Sequence, residues 1–327
     1  MEPKRDHMLN DVVSQSSSNF EVTVLITFFG ESANLNNLLD DLLSQTIRPN
    51  RIVIVDDCAP EPAGDAVAHR KPSAIPIDLF RLSENRGNGY SQAFGVDRIS
   101  TPLIILVGAD DRLLPTHLES LLRQYRTSPG VICPGVIDVW TNGRQTVGRK
   151  RASMARLAAR TDPFEVLLRG NWAIGASLYP RDALIKHGNF SHIRRSSDYE
   201  MMLHLAAGGV PITHCQQFTY LYSRRAKDEP APIGAGDVLS TRQRVLNTFA
   251  ERSDRPQARR SRRRARFERR VGALIPKRVQ AMITLLSMNP YWWLANLYAM
   301  FLTTRDLLVS WRGVRSHEWL KDARNQW

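Results

Sequence analysis

Acidic residues are in deficit, cysteine is scarce, and no apolar run is long enough to cross a bilayer. Asp and Glu number 32 against 45 Lys and Arg, which leaves a formal charge of +13. That surplus is local: residues 255–278 carry eleven basic side chains against Glu268 alone and hold +10 of it. The rest of the chain is close to neutral, so an acidic partner is expected only at that stretch. Cys58, Cys133 and Cys215 are odd in number, far apart and in no CxxC or Cys/His spacing. This argues against a disulfide framework and a zinc site, and it suits a reducing compartment. The apolar stretch Tyr291–Thr304 carries no charge but falls short of the roughly 20 residues a spanning helix needs. Residues 1–19 are polar with no signal-peptide pattern, so a cytoplasmic location is expected. No internal repeat is found.

What is present is a regular alternation of strands and helices. EVTVLITFF from Glu21, RIVIVDD (51–57), IDLFRL (77–82) and PLIILVG (102–108) are short apolar runs rich in β-branched residues, which predicts buried strands. Leu35, Leu38, Leu39, Leu42 and Leu43 recur at helical spacing after Ser32, a candidate N-cap. Further helices are expected at about 88–99 and 115–126. Continuous apolar strands separated by helices predict an α/β domain, a doubly wound and mainly parallel sheet with helices on both faces. In such sheets ligands bind outside the carboxyl ends of the strands. Those ends carry Thr27 and Glu31, Asp56-Asp57, Glu84-Asn85 and Asp110-Asp111, so four of them should converge on one polar, acidic crevice.

Past Val139 the pattern loosens, and TNGRQTVGRKRASMARLAARTD (141–162) reads as a loop from its Gly and Arg content. In RRSSDYEMMLHLAAGG, Tyr199, Met202, Leu203 and Ala206 share a helix face, with Ser196 or Ser197 as the cap and Gly208-Gly209 as the stop. Asp198 therefore belongs in a first helical turn. Two adjacent carboxylates such as Asp110-Asp111 repel each other, and a hard divalent cation bridging to a diphosphate would compensate them; a solvated helix cap is the competing reading.

The ordered set VTVLITFFGESANLNNLLDDLLSQT, RIVIVDD, ENRGNGYSQAFG, LVGADDRLLP and SSDYEMMLHLAAGG resembles family 2 glycosyltransferases, which have the GT-A fold, over residues 21 to about 225. The resemblance implies an inverting, non-processive transfer of a sugar from a nucleoside diphosphate sugar, with Mn²⁺ or Mg²⁺. It places Thr27, Phe29, Glu31, Asp57, Asn85, Gly87, Gln92 and Asp110 around the nucleotide and sugar, Asp111 on the metal, and Asp198 as the general base. It sets Trp172 where the acceptor floor is expected, with a packed core indole as the competing and commoner outcome, and Arg224 or Arg225 where a diphosphate contact is expected. Some positions depart from the family pattern: Phe29 stands where a Tyr is frequent, Gly30 for an Asn, Gln92 for a basic residue, and no His occurs in FTYLYSRRAKD (218–228). The processive Gln-x-x-Arg-Trp signature is not found. His204, on the helix after Asp198, is expected to be a packing or surface residue. The alternatives are a catalytically idle nucleotide- or glycan-binding relative and a sugar nucleotidyltransferase; FFGESANL lacks the Gly-rich basic loop expected of the latter.

The expected organisation is a polar N-terminus (1–19), a catalytic domain (20–230) with a nucleotide-sugar half (20–115) and an acceptor half (130–230), and a helical extension (231–327). The extension's Arg262, Arg263 and Arg264, followed by Trp292 and Trp293, match a segment lying on an anionic membrane surface. That reading suits a glycan or lipid-linked acceptor and a peripheral place on the cytoplasmic face. Packing of 288–311 on the protein or on a second subunit stays open, and nucleic acid is disfavoured because no RNA-binding module accompanies the charge.

Overall fold

The computed structural model describes residues 20–68, 75–141, 143–147, 149–168, 171–173, 175–190 and 197–224. The polar N-terminus and the extension, with Arg225, Arg262, Arg263, Arg264, Trp292 and Trp293, lie outside the described residues. The chain runs β1 (Val22–Phe28), α1 (Ser32–Leu43), β2 (Arg51–Asp56), α2 (Ala63–Ala68), β3 (Ile77–Arg81), α3 (Asn88–Val96) and β4 (Leu103–Gly108). It continues through β5 (Arg112–Leu113), α4 (His117–Thr127), β6 (Val131–Trp140), β7 (Gln145–Val147), α5 (Arg149–Ala158) and α6 (Pro163–Leu167). The last elements are β8 (Ser177–Pro180), α7 (Arg181–Lys186), α8 (Ser197–Ala207) and β9 (Ile212–Arg224).

One sheet holds the strands in the order β3-β2-β1-β4-β8-β6-β9-β5, with β7 on β6. Its first four strands are parallel, β8 is antiparallel to both β4 and β6, and β9 runs parallel to β6. Successive side chains of a strand point to opposite faces, so a strand buried on both sides must be apolar throughout. β1 shows this: Leu25 packs with Val53, Val55, Ile104 and Val96 on one face. Val24, Ile26 and Phe28 pack with Leu35, Leu38, Leu39 and Leu42 of α1 on the other. Each of those four leucines is fully buried, which stabilises the helix by on the order of 2 kcal/mol apiece. On the first face, α3 lies so close to the sheet that a side chain at Gly95 would overlap Leu25.

Two expectations need correction. Residues 141–162 are not a plain loop: they contain β7 and α5. The buried side of α5 is made of Ala152, Ala155, Leu157 and Ala158, mostly small residues set among arginines, so its apolar stripe is faint in sequence. Ser32 does not cap α1 with its side chain. The N-cap is Glu31, without a side-chain bond, and the Ser32 N–H donates to Glu61 instead, 2.9 Å.

Candidate active site

The carboxyl ends of β1, β2 and β4 open into a crevice of about 620 Å³, closed on the far side by Asn171, Tyr179, Asp198 and the aromatic end of β9.

At the end of β2 the two aspartates part. Asp56 turns into the protein and accepts from the Ala59 N–H at 2.8 Å, the Ala63 N–H at 3.0 Å and the Arg81 guanidinium at 2.5 Å. Asp57 turns to the crevice and accepts from the Arg86 and Gly87 N–H groups, both at 2.7 Å. It thereby holds the loop from β3 to α3, in which Gly87 has φ +87°, a region that favours glycine. Asn85 and Gly87 belong to that loop but do not line the crevice, whereas Asn88 and Ser91 do. Thr27 donates to Asn88 Oδ1 at 2.8 Å, joining the end of β1 to the start of α3. Phe29, 56% exposed, and the exposed Glu31 stand at the rim.

The second pair, after β4, divides differently. Asp110 is exposed and Asp111 is buried. β5 pairs antiparallel with β9, Leu113 opposite Tyr220, and this brings Asp111 beside the far end of β9. There it accepts from the Tyr220 hydroxyl at 2.6 Å and the Ser223 N–H at 3.0 Å. Burial, then the neighbouring Asp110 charge, pushes the Asp111 carboxyl well above the usual range, and these two bonds offset it only in part. Burial and Asp111 likewise push Tyr222 up to about 12.

Both carboxylates converge over Gly108. A Cβ there would lie 2.9 Å from Asp110 Oδ1 and 3.2 Å from Asp111 Oδ2. Among the described residues no group of three or more His, Cys, Asp or Glu is placed to hold a metal. Two hard carboxylate donors suit an ion whose other positions are completed by water and phosphate oxygens, the usual manner of Mg²⁺.

Across the crevice, Asp198 sits in the first turn of α8 and receives the Asn171 Nδ2–H, 3.4 Å away. Burial raises its carboxyl above the ordinary 3.8, opposed by the Tyr199 N–H and the Asn171 amide. The crevice is thus lined by five carboxylates, Glu31, Asp57, Asp110, Asp111 and Asp198, and among the described lining residues there is no Lys, Arg or His.

Trp172 and Arg224 are placed elsewhere, and Gln92 is engaged within the protein. Trp172 is a core residue, 2% exposed and in one buried cluster with Leu167, Phe190 and Met202. Its neighbour Asn171 faces the site instead. Arg224 is not among the lining residues. Its Nε donates to Asp138 at 2.8 Å, beside Arg151 on the same carboxylate. Gln92 lines the crevice but gives its oxygen to Ser197. His204 is partly exposed and 3.8 Å from Glu200, on the side chain expected to pack or face solvent.

Sequence reasoning missed Asn171, Tyr179, Tyr220 and Tyr222. Tyr220 and Tyr222 are two residues apart on one strand and so share a face, the one signal that could have found them. Tyr220 also explains the backbone at Gly175. With φ +47° and no side chain, Gly175 leaves space that a Cβ would take from the Tyr220 hydroxyl. Gly175→Ala should therefore cost roughly 1–2 kcal/mol from backbone strain alone, plus the displacement of Tyr220 from Asp111. A melting temperature within a degree of wild type would refute this close packing.

The comparisons with known proteins agree with this architecture. Residues 23–201 match the model for glycosyl transferase family 2. The chain is 25% identical over 199 residues to the amylovoran biosynthesis glycosyltransferase AmsE of Erwinia amylovora, covering 59% of this chain and 72% of that protein. It is 25% identical over 147 residues to the succinoglycan biosynthesis protein ExoO of Rhizobium meliloti (strain 1021), covering 44% and 41%. Among solved structures it is similar to S. aureus TarS 1-349 in complex with UDP-GlcNAc, with a TM-score of 0.58 and 16% identity, covering 73% of this chain and 69% of that one. That likeness shows the fold, which is GT-A. Among the described residues no helix is long and apolar enough to cross a membrane. Since the family model covers more than half of its length, the chain belongs to glycosyl transferase family 2.

Proposed function

We propose that this glycosyltransferase moves a sugar from a nucleoside diphosphate sugar to an acceptor hydroxyl with inversion, in the assembly of a surface polysaccharide or glycolipid. One observation carries the reading. The crevice sets Asp198, a carboxylate of raised pKa, across from the convergent Asp110 and Asp111, with no cationic side chain among the described lining residues.

In a single displacement the acceptor oxygen attacks the anomeric carbon from the face opposite the diphosphate. Its proton passes to Asp198, the bond from the anomeric carbon to the phosphate oxygen breaks, and the nucleoside diphosphate leaves with the electron pair. Asp198 lines the crevice, which supports its reading as the base that faces the acceptor. Phe29 and Asp57 are on the side of the strand ends, where the nucleotide base would lie. Asp110 and Asp111 would hold Mn²⁺ or Mg²⁺, which when bound neutralises charge on the leaving diphosphate. An anionic diphosphate brought against five lining carboxylates favours such a cation. The solved TarS complexes with UDP-GlcNAc and with UDP support a nucleotide-sugar donor here, and the polysaccharide roles in the names AmsE and ExoO support a glycan or lipid-linked acceptor.

Titration of the full chain with UDP, GDP, dTDP and CDP, each with Mn²⁺ and with EDTA, tests the donor site. One nucleotide should bind at least tenfold more tightly with Mn²⁺, and Asp110→Ala should abolish that gain. Binding of none would turn the reading to an idle relative. For the extension we propose contact with an anionic membrane, on the cytoplasmic face, from its clustered arginines and adjoining tryptophans. The full chain should cosediment with phosphatidylserine vesicles better than a chain ending near residue 250, and equal sedimentation would refute the contact.

A further inference from the structure

The connection that leads into α8 is gripped at both ends by α3. At the near end, Asn189, with φ +54°, donates through Nδ2 to Asp97 Oδ1 at 2.9 Å and to the Ala93 carbonyl at 3.3 Å. At the far end the Ser197 hydroxyl donates to Gln92 Oε1 at 2.6 Å, with both residues buried. Gln92 and Ser197 are 105 residues apart in sequence, and Ser197 immediately precedes Asp198. Gln92 exposes only 1% of its surface, so it has little to offer a ligand even though it borders the crevice. Its amide oxygen is taken up by the Ser197 hydroxyl.

We propose that Gln92 and Ser197 act together as positioning residues for Asp198, registering the acceptor half of the enzyme against the nucleotide half, and that Gln92 is not a donor contact. Helix α3 packs on β1 and β2 and starts at the loop held by Asp57. A bond from its second turn to the first residue of α8 therefore fixes the distance from the nucleotide side to the base. Loss of that bond lets the carboxylate drift from the line of attack, and a displacement of about 1 Å can cost a large part of the rate. Nucleotide affinity should not change, since Gln92 is 1% exposed with its oxygen on Ser197 and Ser197 does not line the crevice. The inference rests on the reading of Asp198 as the base.

The test compares Gln92→Met, Ser197→Ala and the double variant with wild type, all as full chains. Affinity is measured for UDP, GDP, dTDP and CDP with Mn²⁺. Turnover is measured as release of nucleoside diphosphate from UDP-glucose, UDP-N-acetylglucosamine, GDP-mannose and dTDP-glucose, with water as acceptor. Ser197→Ala removes a single oxygen and keeps the helix start intact if Gln92→Met proves unstable. Each single variant is expected to keep its nucleotide Kd within about twofold and to lose roughly tenfold or more in turnover. The double variant should be no slower than the worse single one, the mark of residues acting as one unit. A tenfold weaker nucleotide Kd in Gln92→Met alone would make Gln92 a donor contact and overturn the proposal. So would losses that multiply in the double variant, or unchanged turnover. A wild-type chain that binds or turns over none of the probes overturns the donor-site reading itself, and this inference with it.

Discussion

Replacing Asp198 by Asn is expected to lower turnover roughly 10³-fold, the range for removal of a positioned general base, or about 4 kcal/mol of activation free energy. Asn keeps the shape of the side chain, so nucleotide affinity should stay near wild type. The pH dependence should identify the group. The base must be ionised, and burial raises its pKa above 3.8, so wild-type turnover should fall on an acidic limb whose midpoint lies above that value. The Asn variant should have no such limb. Stability moves the other way. The folded carboxyl holds its proton more tightly than the unfolded one, so its ionisation at neutral pH opposes folding, and that cost vanishes in the variant. An unchanged or higher melting temperature with lost turnover marks a catalytic role. Lost turnover with a lower melting temperature would point to damaged packing instead.

The largest loss of stability is expected one residue before the crevice. Asp56→Ala removes the acceptor for the Ala59 and Ala63 N–H groups and for Arg81. Each buried donor left unpaired costs about 1–3 kcal/mol. Arg81 is 41% exposed and can turn to water, so the ion pair itself adds little. The sum is about 3 kcal/mol, to be read from the urea midpoint at constant m-value. A change under about 1 kcal/mol would show that the turn after β2 holds without its aspartate. Asp57→Ala, by contrast, should act first on nucleotide binding, through the loop at Arg86 and Gly87.

The parallel half of the sheet was legible because its strands are buried on both faces. A strand such as β4, with Leu103 to Val107 all buried, cannot be anything but a continuous apolar run. The polar residues that follow such runs mark the crevice for the same reason, since the chain turns polar only where the sheet ends. The half of the domain after β5 was not legible to the same degree. The apolar face of α5 is alanine among arginines. The pairing of β6 with β9 shifts register around Gly135, where a Cβ would meet the Gln217 carbonyl and Phe218, and such a break blurs the alternation by which a strand is recognised. Within the site, the Asp111 to Tyr220 bond joins residues 109 apart, a relation that no local pattern carries. The sequence pointed to both members of each aspartate pair but not to their division of labour, which depends on which way each carboxylate turns.

His117 extends that long-range wiring. It is buried in α4, and burial lowers its pKa to about 4, so it is neutral at physiological pH. Its Nε2 faces the Ala176 carbonyl at 3.0 Å, which can only accept, so Nε2 carries the hydrogen and Nδ1 accepts from the Thr219 hydroxyl at 2.9 Å. The turn at Gly175 and Ala176 is therefore stapled to Thr219 through His117, next to Tyr220, the residue that holds Asp111. For anyone building chimeras between relatives, His117, Gly175-Ala176 and Thr219-Tyr220 form one unit of exchange. A graft that takes the turn at Gly175-Ala176 without its histidine and its strand would disturb Asp111 through Tyr220, although Asp111 is not among the grafted residues.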